Sequence, residues 1–237
     1  MRNYIELNGI SSETISGLLI QELPPISKPN MRTMIEEIDG RDGDIVTTLG
    51  YSAYDKTMSI GLYGNYNLDD VISYFNSSGK VIFSNEPDKY YNYEILNQID
   101  FSRLVRFRTA DVVFHVQPFK YSSVEKEKTF TITNQTSVQI RNNGNYYSKP
   151  IIIISGSGTI NLYLNDIQLF VIDLGETATH MVIDTEKLEA YNPDTRVLMN
   201  RSVTGNYDNF KLNKGINTIS WTGTITEIAI NKYSRWI

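Results

Sequence analysis

Apolar residues recur at alternate positions in short runs along most of this chain, the periodicity of strands that bury one face. Met58, Ile60 and Leu62 alternate with Thr57, Ser59, Gly61 and Tyr63, so the spacing predicts a half-buried strand within residues 54–64. Val112, Phe114 and Val116 alternate in the same way with Val113, His115 and Gln117. Pro118 follows them and, lacking an N–H, is expected to keep that strand from continuing in the middle of a sheet. An apolar stretch from Ile5 through Ile15, Leu18, Leu19, Ile20 and Leu23 ends at Pro24-Pro25, which marks an edge or an exit. Val81-Ile82-Phe83 and the Tyr-rich run at 90–96 read as strands on either side of an Asn85-Glu86-Pro87-Asp88 turn.

The period changes once. Leu68, Val71, Ile72 and Phe75 fall at helical spacing behind Asn67, a good N-cap, and Asp69 and Asp70 suit the positive end of a helix dipole. Ser78-Gly79 closes this short helix. The polar, mixed-charge run at 121–128 is the best junction between two domains, expected at 1–128 and 129–237. From Thr129 onward every recognisable segment reads as strand: 138–140, 151–154, 160–164, 169–172, 180–183, 217–221 and 225–230. Ser155-Gly156-Ser157-Gly158 and Asn165-Asp166 are expected to be hairpin turns, because Gly and Asn tolerate the left-handed backbone that primed turns require. The expected fold is mainly β with one short helix, its second half an antiparallel β-sandwich.

Composition supports this class. Sixteen Tyr and nine Phe among 237 residues suit strands, and the length supplies a core without disulfides. Cys is absent, which excludes a thiolate nucleophile and cysteine-ligated zinc and fits a reducing cytoplasm. A formal net charge of -5 disfavours phosphate backbones and anionic lipid, so neither sequence-specific nucleic-acid binding nor a membrane is expected. The first residues lack the apolar core of a signal peptide, and no run reaches the roughly 20 apolar residues of a membrane helix. A soluble protein used without secretion is the expectation.

Candidate chemistry is sparse. Met31-Arg32-Thr33-Met34-Ile35-Glu36-Glu37-Ile38-Asp39-Gly40-Arg41-Asp42-Gly43-Asp44 looks chemical, yet a calcium loop begun at Asp39 would need oxygen ligands where Arg41, Gly43 and Gly50 stand. It reads as a charged turn between strands, with Gly40 and Gly43 supplying positive φ. His115 and His180 lie in different halves without an HExxH motif, and Gly156-Ser157-Gly158 lacks the GxSxG frame of a nucleophile elbow. Adjacent Glu36 and Glu37 would point to opposite faces of a strand, Asp69 and Asp70 are explained by the helix, and Asp184 with Glu186 is the remaining carboxylate pair. No phosphate-cradling glycine loop is present. Tyr146, Tyr147, Trp221, Tyr233 and Trp236 could stack on sugars, although Trp221 alternates with Ile219 and is expected to face inward, leaving Trp236 the better exposed candidate. No catalytic, cofactor or metal residue is assigned, and an enzyme is not expected.

Taken in order, several motifs resemble the distal tail protein family, also called Dit, of siphophages that infect Gram-positive bacteria. They are the 32–44 box before the 54–62 strand, the helix leading into Gly79-Lys80-Val81-Ile82-Phe83, and Val113-Phe114-His115-Val116-Gln117-Pro118-Phe119-Lys120-Tyr121. Asn142-Asn143-Gly144 before Pro150-Ile151-Ile152-Ile153-Ile154, Asn209-Phe210-Lys211-Leu212 before Gly215-Ile216-Asn217-Thr218-Ile219, and Tyr233-Ser234-Arg235-Trp236 continue the likeness. The resemblance implies an N-terminal ring-forming phage tail domain and a C-terminal galectin-like sandwich. It further implies a homo-hexameric hub at the distal end of the tail, in a virion assembled in the bacterial host cytoplasm. Such a hub joins the tail tube protein to the tail-associated tip or baseplate proteins, carries receptor-binding protein in some cases, and leaves a central channel for DNA. True galectins' His-Asn-Pro-Arg and Trp-Gly sugar contacts are missing, so sugar binding is not carried over. The alternative is a host cell-wall carbohydrate-binding module acting in adsorption, and a hydrolase is the remaining class.

Overall fold

The computed structural model describes residues 2–177 and 179–237, which divide into two compact units meeting in sequence between Val124 and Glu125. Each has its own buried apolar cluster.

Unit 1 is built on an antiparallel sheet. Its strands are β1 (Ile5–Leu7), β2 (Ile10–Ser11), β3 (Leu18–Glu22), β6 (Tyr54–Leu62), β7 (Gly79–Phe83), β8 (Lys89–Ile95) and β9 (Ala110–Ser122), in the order β2-β1-β7-β8-β9-β6-β3. A separate two-stranded ribbon, β4 (Met31–Glu37) with β5 (Asp44–Tyr51), is inserted between β3 and β6. The expected alternation holds: Met58, Ile60 and Leu62 face the core with Val112, Phe114 and Val116. Phe114 meets Phe83 and Tyr93 edge-on, at centroid distances of 5.5 and 5.4 Å. Helix α1 (Leu68–Phe75) starts where Asn67 Oδ1 accepts from the Asp69 N–H at 3.1 Å, and it buries Val71, Tyr74 and Phe75.

Two sequence expectations need correction here. A second helix, α2 (Phe101–Phe107), precedes β9; Asp100 Oδ1 caps it at the Arg103 N–H, 2.8 Å away, and Arg108 ends it in the left-handed region. Strand β9 also runs through Pro118 without stopping. Its β6 pairing ends at Val116 opposite Tyr54, and its β8 register breaks between Tyr91 and Tyr93, so Pro118 falls where neither ladder asks for its missing N–H.

Unit 2 is an antiparallel sandwich made from one hydrogen-bonded set of strands: β10 (Lys128–Thr131), β11 (Ser137–Asn142), β12 (Ile151–Leu164), β13 (Ile167–Asp173), β14 (Thr179–Asp184), β15 (Glu189–Tyr191), β16 (Val203–Gly205) and β17 (Gly215–Asn231). Two long strands belong to both layers. The first half of β12 pairs with β14 and with the last part of β17, and its second half pairs with β13 and the first part of β17. The register breaks between Ser155 and Asn161, where Gly156 and Gly158 let the strand bend. A Cβ on Gly156 would sit 2.2 Å from the Thr224 carbonyl oxygen, so the bend requires glycine. Residues 155–158 are therefore a bulge inside one strand and not a hairpin turn, and 217–221 and 225–230 likewise belong to one strand. Asn165 and Asp166 do form the expected turn, with φ of 50° and 67°.

Candidate functional site

The residues with a chemical look resolve into structural partners. His115 Nδ1 lies 2.8 Å from Asp55 Oδ1 across β9 and β6, in an exposed pair on the face away from the core. His180 Nδ1 is 3.3 Å from Ser155 Oγ, but the neighbouring acid in the sheet, Glu227, stands across from Ser155 on the opposite side from His180. The acid thus flanks the serine and cannot orient the imidazole as a triad requires. Asp184 is buried and accepts from the N–H groups of Glu186 and Lys187, both at 3.0 Å, while Glu186 reaches outward to Lys149 and Arg235. Glu36 and Glu37 pair with Ile45 and Asp44 on opposite faces of the ribbon.

The aromatic candidates do not form one platform. Trp221 is buried in the core of unit 2, and Trp236 is half-buried in the short strand Arg235–Trp236. The Tyr146 and Tyr147 ring centres are 4.5 Å apart with the planes tilted by 33°, and the Arg235 guanidinium lies 4.5 Å from the Tyr147 ring centre. Cation–π and ring contacts within the chain occupy these faces. Among the described residues no helix is long and apolar enough to cross a membrane.

The least ordinary feature is the β4–β5 ribbon. Only residues 38–43 are a turn; the flanking charged and apolar residues are strands, which corrects the expectation of a charged turn. Ile35 pairs with Val46, Thr33 with Thr48 and Met34 with Thr47, and a bulge follows Arg32. All of β4 is exposed, and in β5 only Ile45, Gly50 and Tyr51 are partly covered. A two-stranded ribbon with both faces in water is marginal by itself. This arm nevertheless holds out Met34, Ile35, Val46 and Leu49 beside five carboxylates and one guanidinium between residues 36 and 44. That segment carries a net four of the chain's five formal negative charges.

Its root is fastened to unit 1. The Ser52 N–H donates to Asn30 O at 2.9 Å, Asn85 Nδ2 to Pro24 O at 3.0 Å and Lys56 Nζ to Pro25 O at 2.6 Å. Lys56 is only 3% exposed, its ammonium ringed by Tyr54, Phe83 and Tyr91 at 5.7, 5.8 and 5.2 Å. Beside it Glu86 bridges Lys120 Nζ, 2.7 Å from Oε1, and the Tyr91 hydroxyl, which donates to Oε2 at 3.0 Å. Sequence reasoning missed this anchor, since a lysine between Asp55 and Thr57 looks like a solvated strand residue.

Burial lowers the Lys56 pKa to about 8; Glu86 partly offsets that, and Lys120 adds to it. The unfolded chain holds this proton up to its ordinary range near 10.4, so between the two values unfolding takes up a proton and stability rises with pH. Above about pH 10 the trend reverses, because desolvation keeps Tyr54, Tyr74, Tyr91 and Tyr93 protonated in the fold while the unfolded phenols ionise. Urea unfolding of unit 1 should therefore gain about 2–3 kcal/mol from pH 8 to 10, and Lys56→Met should flatten that rise. An equal rise in the variant would assign it to other groups.

No protein-family model matches the sequence, and no curated protein matches it. Solved structures do. The Dit protein of phage SPP1, described as a paradigm of the hub adsorption apparatus in phages that infect Gram-positive bacteria, matches with a TM-score of 0.66 and 16% identity over 97% of this chain and 98% of its own. Chains from the activated phage P2 baseplate match at TM-scores of 0.48 (with Ca) and 0.46 (with Sr), with 10% and 11% identity over 97% and 98% of this chain and 96% and 98% of theirs. The SPP1 match establishes a shared fold along nearly the whole of both chains, as the ordered motifs led us to expect.

Proposed function

We propose that this chain, having the fold of the SPP1 Dit protein, is a structural hub of a siphophage tail. Six copies close into a ring through the N-terminal units around a central DNA channel. The ring joins the tail tube protein on one side and the tail-associated tip or baseplate protein on the other, and the galectin-like C-terminal units offer a surface to receptor-binding protein. It is placed at the distal end of the tail in the virion, after assembly in the host cytoplasm. The observation that carries this reading is the end-to-end likeness to a hub protein, which spans both units and does not stop at one.

A hub needs surfaces and no reactive centre. That agrees with histidines and carboxylates engaged in pairs, turns and caps, and with a long unpartnered arm. The sugar-binding alternative gains no support from the structure, because Trp221 is buried in the core and Arg235 lies over the Tyr146 and Tyr147 rings.

Light scattering of the purified chain should find a ring of about 160 kDa, six copies of 27.1 kDa, with six-fold images by electron microscopy. A protein that stays monomeric at high concentration and ignores its tail neighbours would overturn the proposal.

A further inference from the structure

Unit 1 carries two unlike surfaces that complement each other. The arm is acidic and apolar: Glu36, Glu37, Asp39, Asp42 and Asp44 surround exposed Ile35 and Val46, which pair across the ribbon. Helix α2 is basic and apolar. From 101 to 108 it has Arg103, Arg106 and Arg108 and no carboxylate, with Phe107 62% exposed. The acids that flank α2 in sequence are occupied, Asp100 in capping α2 and Asp111 in accepting from Ser59 Oγ at 2.7 Å.

The two surfaces sit at opposite ends of the same strand pair. The arm leaves from the Tyr54 end of β6, where Tyr54 faces Val116, whereas α2 feeds into Ala110, opposite Ile60. Six residues of strand separate these points by about 20 Å. The charge and exposed apolar area at one end thus have their complement at the other, and repeated head-to-tail use of such unlike patches builds rings or filaments.

We propose that the arm of one copy docks on the arginine and phenylalanine face of α2 in the next copy, a head-to-tail contact between unlike surfaces. The proposal rests on the ring reading above and names the contact that makes the ring. Ile35 and Val46 cover Phe107, and the arm's carboxylates meet the three guanidiniums. Added salt weakens the contact, since exposed charges are screened over about 8 Å at physiological ionic strength.

The test uses the full chain and follows mass against concentration. An arm variant (Glu36→Lys with Glu37→Lys) and a face variant (Arg103→Glu with Arg106→Glu) alter exposed side chains, so each should keep its circular dichroism and thermal midpoint. Each should raise the concentration at half-assembly by about tenfold or more, and the chain carrying all four changes should recover much of that loss. Mixing the two variants should also restore assembly, because each variant's arm is then opposite in charge to the other's face. A wild-type chain that assembles while both variants assemble equally well would overturn this contact and leave the ring reading standing. A wild-type monomer would overturn both. If the arm variant assembles normally but no longer binds the purified tail tube protein, the arm serves that partner and the contact between copies is wrong.

Discussion

Glu86→Gln is expected to destabilise unit 1 by about 3–5 kcal/mol, the usual cost of leaving a buried charge without its partner. Glu86 pairs with the buried Lys120 ammonium and its charge also acts on that of Lys56. Lys120 is 2.7 Å away with both side chains about nine-tenths covered, and Lys56, over the Tyr91 ring, also feels the Glu86 charge. Glutamine keeps the shape and an acceptor for the Tyr91 hydroxyl, so the loss isolates charge. Lys120→Met added to Glu86→Gln should restore a large part of the stability, because an apolar pair of similar volume costs less to bury than a lone ion. Trp221 is buried in the core of unit 2, so its fluorescence does not report on this change. Hydrogen exchange of β6, β8 and β9 does, and a loss below about 1 kcal/mol would show that water already reaches the cluster. Protection should also fall in β4 and β5, since the anchor holds their root.

In unit 2 the largest expected effect comes from adding one carbon. Gly156→Ala puts a Cβ 2.2 Å from the Thr224 carbonyl oxygen and 3.3 Å from the Ile225 Cα, both backbone atoms that no rotamer can move. The strands must separate or the bend must shift, at about 3 kcal/mol or more, the upper range for overpacking. Gly158→Ala is the control. Gly158 has φ of +71° but nothing within 4 Å of an added Cβ, so it carries only the left-handed backbone penalty of about 1 kcal/mol. Urea unfolding followed by Trp221, which packs beside Leu162 at the same strand pair, reads both. Equal losses in the two variants would show that the close approach does not hold the bend.

The elements legible in the sequence are those in which one face is buried and the other wet. Strand β6, the first part of β9 and helix α1 all announce themselves by period and cap. Elements without that contrast escape. Strands β4 and β5 bury neither face, so no alternation marks them and their charges read as a turn. Helix α2 has a single fully buried side chain, Leu104, among arginines and exposed aromatics, and an arginine where a C-terminal glycine would have signalled its end. Glycine was ambiguous in a different way. Ser155-Gly156-Ser157-Gly158 satisfies the chemistry of a turn and of a bulge equally, and only the partner strands decide which forms. Lys56 shows the same limit for sites, since its cage is assembled from β6, β7 and β8 and from the segment before the arm.

The acidity of the chain also takes on a different meaning once it is located. A mildly acidic composition suits a conduit for DNA, yet almost all the excess lies in nine residues at the end of the arm and leaves the remainder close to neutral. Charge here is better understood as an address on one projection than as a coating.

The passage of β12 and β17 through both layers of the sandwich has a mechanical consequence. Because the layers share these two strands, neither layer can be peeled away while the other stays whole. A load applied along the strands must shear both parts of the β12–β17 ladder, Ile151–Ser157 and Asn161–Leu164. Unit 2 is thus built so that its two layers resist a load together.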